Sequence, residues 1–266
     1  GVPYTVSGFE SYLLRPEVLL VRGLLAVATD NFDSVTEPRT REKLMRALVL
    51  FCGARIVVKG REHESQHDLL ADAIRSVTDN PLFLESFFTN QIVPNVEPAM
   101  QRRLQRALKV AKEAHGQGTL ARLLEALQIE AVVREVFVSR QRRADALANL
   151  AGLSHAAQAF GSARDYFLHL NAAEQRQREL RSTASLVLAH IGHVKGLEFE
   201  HVLIPYLEQG AFPDPQAPAA QEKNTLYVGM TRARQQLTLL AHRQRPSAFV
   251  AQLGYAESTQ AAKAPA

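Results

Sequence analysis

The sequence predicts a mixed α/β protein, a parallel-sheet unit interrupted by a long and mostly helical insertion. Three observations carry this. Short apolar runs rich in β-formers, "SLVLAHI", "EHVLIPYL" and "QQLTLLAH", crowd residues 183–254, and buried runs that alternate with loops and a helix fit a parallel sheet. One comparable run, "YTVS", stands alone near the other end, and a single strand cannot make a sheet. Between the two ends, apolar residues recur at helical spacing. The simplest path returns the chain to the first strand's sheet after a helical excursion.

The elements follow in order. Residues 1–29 read as a strand, a glycine turn and a helix through "RPEVLLVRGLLAVAT". Residues 30–182 read as helices, with breaks at Pro38, "CGA", Pro81, "VPNVEP", "GQGT" and "GLS". The stretch "ARIVVKG", residues 54–60, is a candidate lone strand with no place in this scheme. Residues 183–254 return to short strands, with the helical "EKNTLYVGMTRAR" before the last of them. The small, polar residues 255–266 read as a frayed tail.

Composition excludes several classes. With 46% apolar and 22% charged residues over 266 positions, the chain is ordinary for a globular protein. No apolar run reaches the roughly 18–20 residues needed to cross a bilayer, so no membrane partner is expected. The single cysteine, Cys52 in "LVLFCGA", excludes a disulfide framework. It reads as a small buried side chain in a reducing, cytoplasmic compartment. The opening "GVPYTVSG" lacks a basic start and apolar core and falls just before a strand, so the chain reads as part of something longer. A net charge of +4 is a weak pointer to a polyanionic partner.

The stretch "HVKGLEFEHV", residues 193–202, leaves a strand where ligands meet an open α/β sheet. Gly196 permits a sharp turn or a close approach. Lys195 is a point cation suited to phosphate, and Glu198 an acceptor suited to a ribose hydroxyl. A tight loop with a solvated Lys and Glu reads equally well. About two dozen residues on, "NTLYVGMTRARQQL" brings Arg232 and Arg234 to one end of a helix starting around Glu222. An arginine near a γ-phosphate can stabilise charge in phosphoryl transfer, and an arginine at a helix end also suits the helix dipole. The chain has no G-x-x-x-x-G-K-[ST] phosphate cradle, so any nucleotide site here is half a site.

In combination these stretches resemble motifs V and VI of the UvrD/Rep/PcrA-type superfamily 1 DNA helicases. The residues carrying the resemblance are Lys195, Gly196, Leu197, Glu198, Phe199 and Val202, then Gly210, Phe212, Pro213, Glu222, Leu226, Tyr227, Val228, Thr231, Arg232 and Ala233. The opening "YTVSGFESYLLRPEV" is similar to another family segment through Tyr4, Gly8, Tyr12, Arg15 and Glu17. The resemblance implies a partial RecA-like lobe, 2A (residues 1–29 and 183–254), interrupted by an inserted helical domain, 2B (residues 30–182). It implies ATP with Mg²⁺ in a site completed by an N-terminal motor lobe, and 3′→5′ movement on single-stranded DNA. By position, Arg232 is the catalytic contact to the γ-phosphate and Glu198 the ribose contact, with Lys195 and Gly196 in the nucleotide loop. The family's DNA-facing Thr and His fall on His190 and Gly192, leaving His193 one position later as the substitute. Phe9 replaces a family glycine, and Gln221-Glu222-Lys223-Asn224 replaces an E-E-R-R run.

DNA contacts are expected from His190, His193 and Arg15, and for duplex DNA from Arg140, Arg142 and Arg143. The last three lie in a stretch, residues 101–150, with ten Lys/Arg against five Asp/Glu. A solvated helix face with pairs to Glu130, Glu135 and Asp145 is an equal reading. "HESQH", residues 63–67, formally fits the H-E-x-x-H zinc signature. Charged neighbours Arg61, Glu62 and Asp68, and the lack of a spaced third ligand, favour a solvated helix start and no metal. Two function classes remain open: part of an ATP-dependent helicase, or a helicase-like binding module without turnover.

Overall fold

The computed structural model describes residues 2–7, 11–113, 118–183 and 186–253, for 181–183 the backbone only. Gly8, Phe9 and the 255–266 tail lie outside the described residues. The chain forms two compact units, Gly1–Phe9 with Thr183–Ala266, and Glu10–Ser182. Among the described residues no helix is long and apolar enough to cross a membrane.

In the first unit, strand β1 (Tyr4–Ser7) is the run expected at the chain's start. The helical unit follows, with α1 (Pro16–Thr29), α2 (Pro38–Cys52), α3 (Gln66–Asp79), short α4 (Leu84–Phe87), α5 (Pro98–Glu113), α6 (Thr119–Leu127), α7 (Ile129–Val136), α8 (Arg140–Ala157) and α9 (Ala163–Thr183). The chain then returns through β2 (Leu186–Ala189), β3 (Phe199–Ile204), α10 (Ala219–Met230), β4 (Ala233–Leu239) and α11 (Ala248–Ala251). β1 pairs in parallel with β2, Tyr4 opposite Leu186 through Ser7 opposite Ala189, across the whole helical excursion. β3 and β4 form a second parallel pair. Two pairs stand where the pattern had allowed one sheet, because alternation fixes which runs are strands but not which strands are neighbours.

The helical unit is built around α1. Its sequence is apolar on nearly every face, the pattern of a central helix, and Val18 through Val27 are buried without exception. The two cuts of the chain differ here. The apolar pattern groups residues 16–29 with the first strand, whereas the compact unit holding α1 is the helical one. The core that α1 needs for its all-round apolar surface is supplied by the other helices.

Within that core sits a charge pair. Arg22, fully buried, donates to Glu174 at 2.6 Å, to Asn171 at 2.9 Å and to the Leu13 carbonyl at 2.9 Å. Thr40 donates to the other carboxylate oxygen of Glu174 at 2.5 Å. One buried ion pair therefore ties α1, α2 and α9. Burial pushes the Arg22 pKa down, and the Glu174 charge acts against that fall.

Helices α1 and α2 approach closely at Gly23. A Cβ there would sit 2.7 Å from the Leu48 Cγ, and Leu48 is itself buried and unable to swing away. Gly23→Ala is therefore expected to destabilise the protein by about 1–3 kcal/mol of overpacking. That is the opposite sign to the gain of roughly 0.5–1 kcal/mol an unhindered helical glycine would give. Urea unfolding followed by helical circular dichroism checks this, and a stabilised variant would contradict it.

Two expectations are corrected. "GLS" is no break, because Gly152, Leu153 and Ser154 continue α8. Leu153 is buried and its carbonyl accepts a bond from Tyr166 Oη at 3.1 Å, so packing overrides a propensity cost of about 1 kcal/mol. "ARIVVKG" forms no strand. The side-chain amide of Gln66 both accepts from Ile56 N and donates to Ile56 O, each at 2.9 Å. One side chain thus stands in for a neighbouring strand.

Candidate functional site

The loop between β2 and β3 carries the first group of candidates. It begins as a tight turn, Ile191–Val194, whose amide at Gly192 donates to His190 Nδ1 at 3.1 Å. Lys195 is exposed, and Gly196 takes a φ of 84°, a left-handed conformation that a side chain would strain. Glu198 then stands immediately before β3. Helix α10 starts at Ala219, earlier than the Glu222 the pattern indicated, and ends at Met230. Arg232 therefore lies beyond the helix, and Arg234 lies on β4.

Strand pairing brings the two stretches together. Phe199 N donates to Arg232 O at 2.8 Å, so Glu198 and Arg232 both stand at the amino-terminal edge of the β3–β4 pair. The loop departs from the carboxyl end of β2, as the pattern indicated, but delivers Glu198 to the opposite kind of edge on the next pair. Helix α10 lies close on β3 because Gly229 has no side chain, and a Cβ there would meet Ile204 and Ile191 at 3.1–3.3 Å. A small core of Ile204, Leu207, Leu226 and Val250 forms at the carboxyl end of β3.

The Arg232 guanidinium bends back onto its own unit. Nε donates to Val228 O at 3.0 Å, Nη1 to Leu197 O at 3.2 Å and Nη2 to Thr231 Oγ1 at 3.0 Å. It thereby caps the end of α10 and clips the 195–198 loop to it. Glu198 accepts from Arg234 Nε at 2.8 Å. Arg234 also reaches Glu200 at 3.9 Å, and the Glu198 carboxylate pushes the Arg234 pKa up. Both arginines are visible in the sequence, but the pairing of Arg234 with Glu198 is not. The alternation Glu198-x-Glu200 was a usable signal, though only with the strand register in hand.

Beside the loop lies a cleft of about 460 Å³ between the 191–195 turn and α10. Lys195, Gly192, Gln221, Asn224 and Thr225 line it with Ile191 and Val228. The rings of His190 and His193 meet edge to face at 5.7 Å on the same turn.

The remaining candidates belong to the helical unit. Arg15 donates to Asn149 Oδ1 at 2.9 Å and lies 5.9 Å over the Tyr12 ring. Tyr12 Oη donates to Asn149 O at 2.6 Å, and Asn149 Nδ2 donates to the buried Glu17 at 2.6 Å. Three residues that carry the resemblance in the opening segment thus converge on one asparagine that sequence reading did not single out. Arg143 Nε donates to Phe137 O at 2.5 Å, and Arg142 lies 5.6 Å over the Phe137 ring. Arg140, at the first turn of α8, is exposed. At "HESQH" the helix starts only at Gln66, so His63 and His67 do not share one helical face. Arg61 pairs with Glu64 and, at 2.7 Å, with Asp72. Among the described residues no three His, Cys, Asp or Glu side chains gather where they could hold a metal ion.

Comparison with known proteins agrees with the motifs. No curated protein matches the chain. The family model described as the UvrD-like helicase C-terminal domain matches residues 1–244, nearly the whole described length and both motif stretches. With its mixed fold and small parallel sheets, the chain belongs to the UvrD-like helicase C-terminal domain family.

Proposed function

We propose that this chain is the second motor half of an ATP-dependent DNA helicase or translocase moving 3′→5′ on single-stranded DNA. In this reading residues 1–29 and 183–254 belong to lobe 2A, residues 30–182 are the 2B insertion, and the protein works in the cytoplasm. The observation that carries the proposal is the Phe199–Arg232 bond, which sets an acceptor, Glu198, beside a fixed cation, Arg232. A carboxylate is suited to ribose hydroxyls. An arginine is suited to the charge that develops on a transferring phosphoryl group. Lys195 and Gly196 supply a cation and a close backbone approach on the same loop.

An N-terminal lobe of the same protein supplies the phosphate cradle that this sequence lacks. Mg²⁺ neutralises phosphate charge in such reactions. In this reading the N-terminal lobe completes the site that holds the ion. On the DNA side, His190, His193 and Arg15 are the single-strand candidates, and Arg140, Arg142 and Arg143 those for duplex phosphates.

A non-hydrolysing binding module is the second reading. One observation favours it, the engagement of Arg232 with its own backbone. A single assay separates the two. The full-length protein is expected to hydrolyse ATP faster when single-stranded DNA is added, while residues 1–266 alone stay at background. DNA-stimulated turnover by the 266-residue chain would overturn the half-site reading. No turnover by the full-length protein selects the binding module.

A further inference from the structure

Arg234 is not among the residues that carry the resemblance, yet the structure aims it with care. Across the β3–β4 pair, Phe199 stands opposite Ala233 but His201 stands opposite Gln236, so β4 carries one extra residue at Arg234–Gln235. Such bulges are rare between parallel strands, and they re-aim side chains next to sites. Here the bulge lets Arg234 face Glu198 and Glu200, alternate residues that share one side of the neighbouring strand. Arg234 Nε takes only the Oε2 atom of Glu198. Among the described residues no donor engages Oε1.

We propose that Arg234 is a positioning residue for nucleotide recognition. It fixes the Glu198 carboxylate by one oxygen and leaves the other directed outward to accept from a ribose hydroxyl. This rests on the reading of Glu198 as the ribose contact. A free glutamate at this exposed edge samples several rotamers and loses that freedom on binding. A glutamate already tethered loses less, so Arg234 strengthens nucleotide binding without touching the nucleotide.

The test is steady-state DNA-stimulated turnover by the full-length protein with ATP and with 2′,3′-dideoxy-ATP, which offers no ribose hydroxyl. Wild type is expected to show a lower KM for ATP. Arg234→Met should raise the KM for ATP about threefold to tenfold, the scale of one net hydrogen bond. It should leave kcat and the KM for dideoxy-ATP within about twofold, and Arg234→Lys should recover part of the loss. An unchanged ratio in Arg234→Met overturns the positioning role. So does a lower KM for ATP, which means that the arginine competes for the carboxylate.

Glu198→Gln separates this failure from failure of the underlying reading. If Glu198→Gln collapses the ATP preference while Arg234→Met does not, the ribose contact stands and only the positioning role falls. If Glu198→Gln leaves the preference intact, or wild type has none, both fall.

Discussion

Replacing Arg232 with alanine in the full-length protein is expected to lower DNA-stimulated ATP turnover by about 10³-fold, the lower end for an arginine on a transferring phosphoryl group. That loss corresponds to about 4 kcal/mol of transition-state stabilisation. The structure adds a complication, because the same guanidinium bonds Val228, Leu197 and Thr231. Each such bond contributes a net ~0.5–1.5 kcal/mol to stability, so the variant also loosens the loop. Two further measurements keep the effects apart. Thermal unfolding reports the structural part, and ATP binding should change far less than kcat if the arginine acts mainly in the transition state. Lysine is not expected to restore turnover, since an ammonium lacks the planar fork. Turnover in the alanine variant within tenfold of wild type would remove Arg232 from the chemistry.

The second large effect lies in the core. Glu174→Ala should destabilise the helical unit by about 3–5 kcal/mol, because it leaves the guanidinium of a fully buried Arg22 without its anion. Arg22 Nε already lacks a protein partner in the structure, so little spare bonding exists to absorb the loss. Removing both charges should do much less harm. A double variant, Arg22→Met with Glu174→Met, is expected to recover most of the stability, as buried pairs often exchange for apolar side chains at little cost. Urea denaturation of the single and double variants measures both. A single-variant loss under about 1 kcal/mol would mean that water or a neighbour reaches the arginine.

The sequence made the element types legible where periodicity was strong. The near-continuous apolar run 18–27 announced a helix, though not its place at the centre of the helical unit, and the short β-rich runs announced β2, β3 and β4. It could not announce that Arg22 inside that run is neutralised from α9, 152 positions away. The break at "GLS" was misread because glycine propensity is local while the burial of Leu153 is not. The candidate site divides the same way. Glu198 and Arg232 were visible as residue types in a motif, whereas Arg234's partner depends on a one-residue bulge that no spacing rule reveals.

The clip between Arg232 and Leu197 O has a thermodynamic consequence. A phosphate that takes the Nη1 hydrogen now bonded to Leu197 O releases the loop from the guanidinium. Clipped and released loop are thus two occupancies of one side chain. A ligand that holds the 190–197 segment in its clipped form must disfavour phosphate capture, and a ligand that prefers the freed form must promote it. Reciprocity makes the factor identical in both directions. In the proposed motor, the sign of communication between this loop and the nucleotide is set by which form of the segment a strand of DNA prefers, with no larger movement of the protein required.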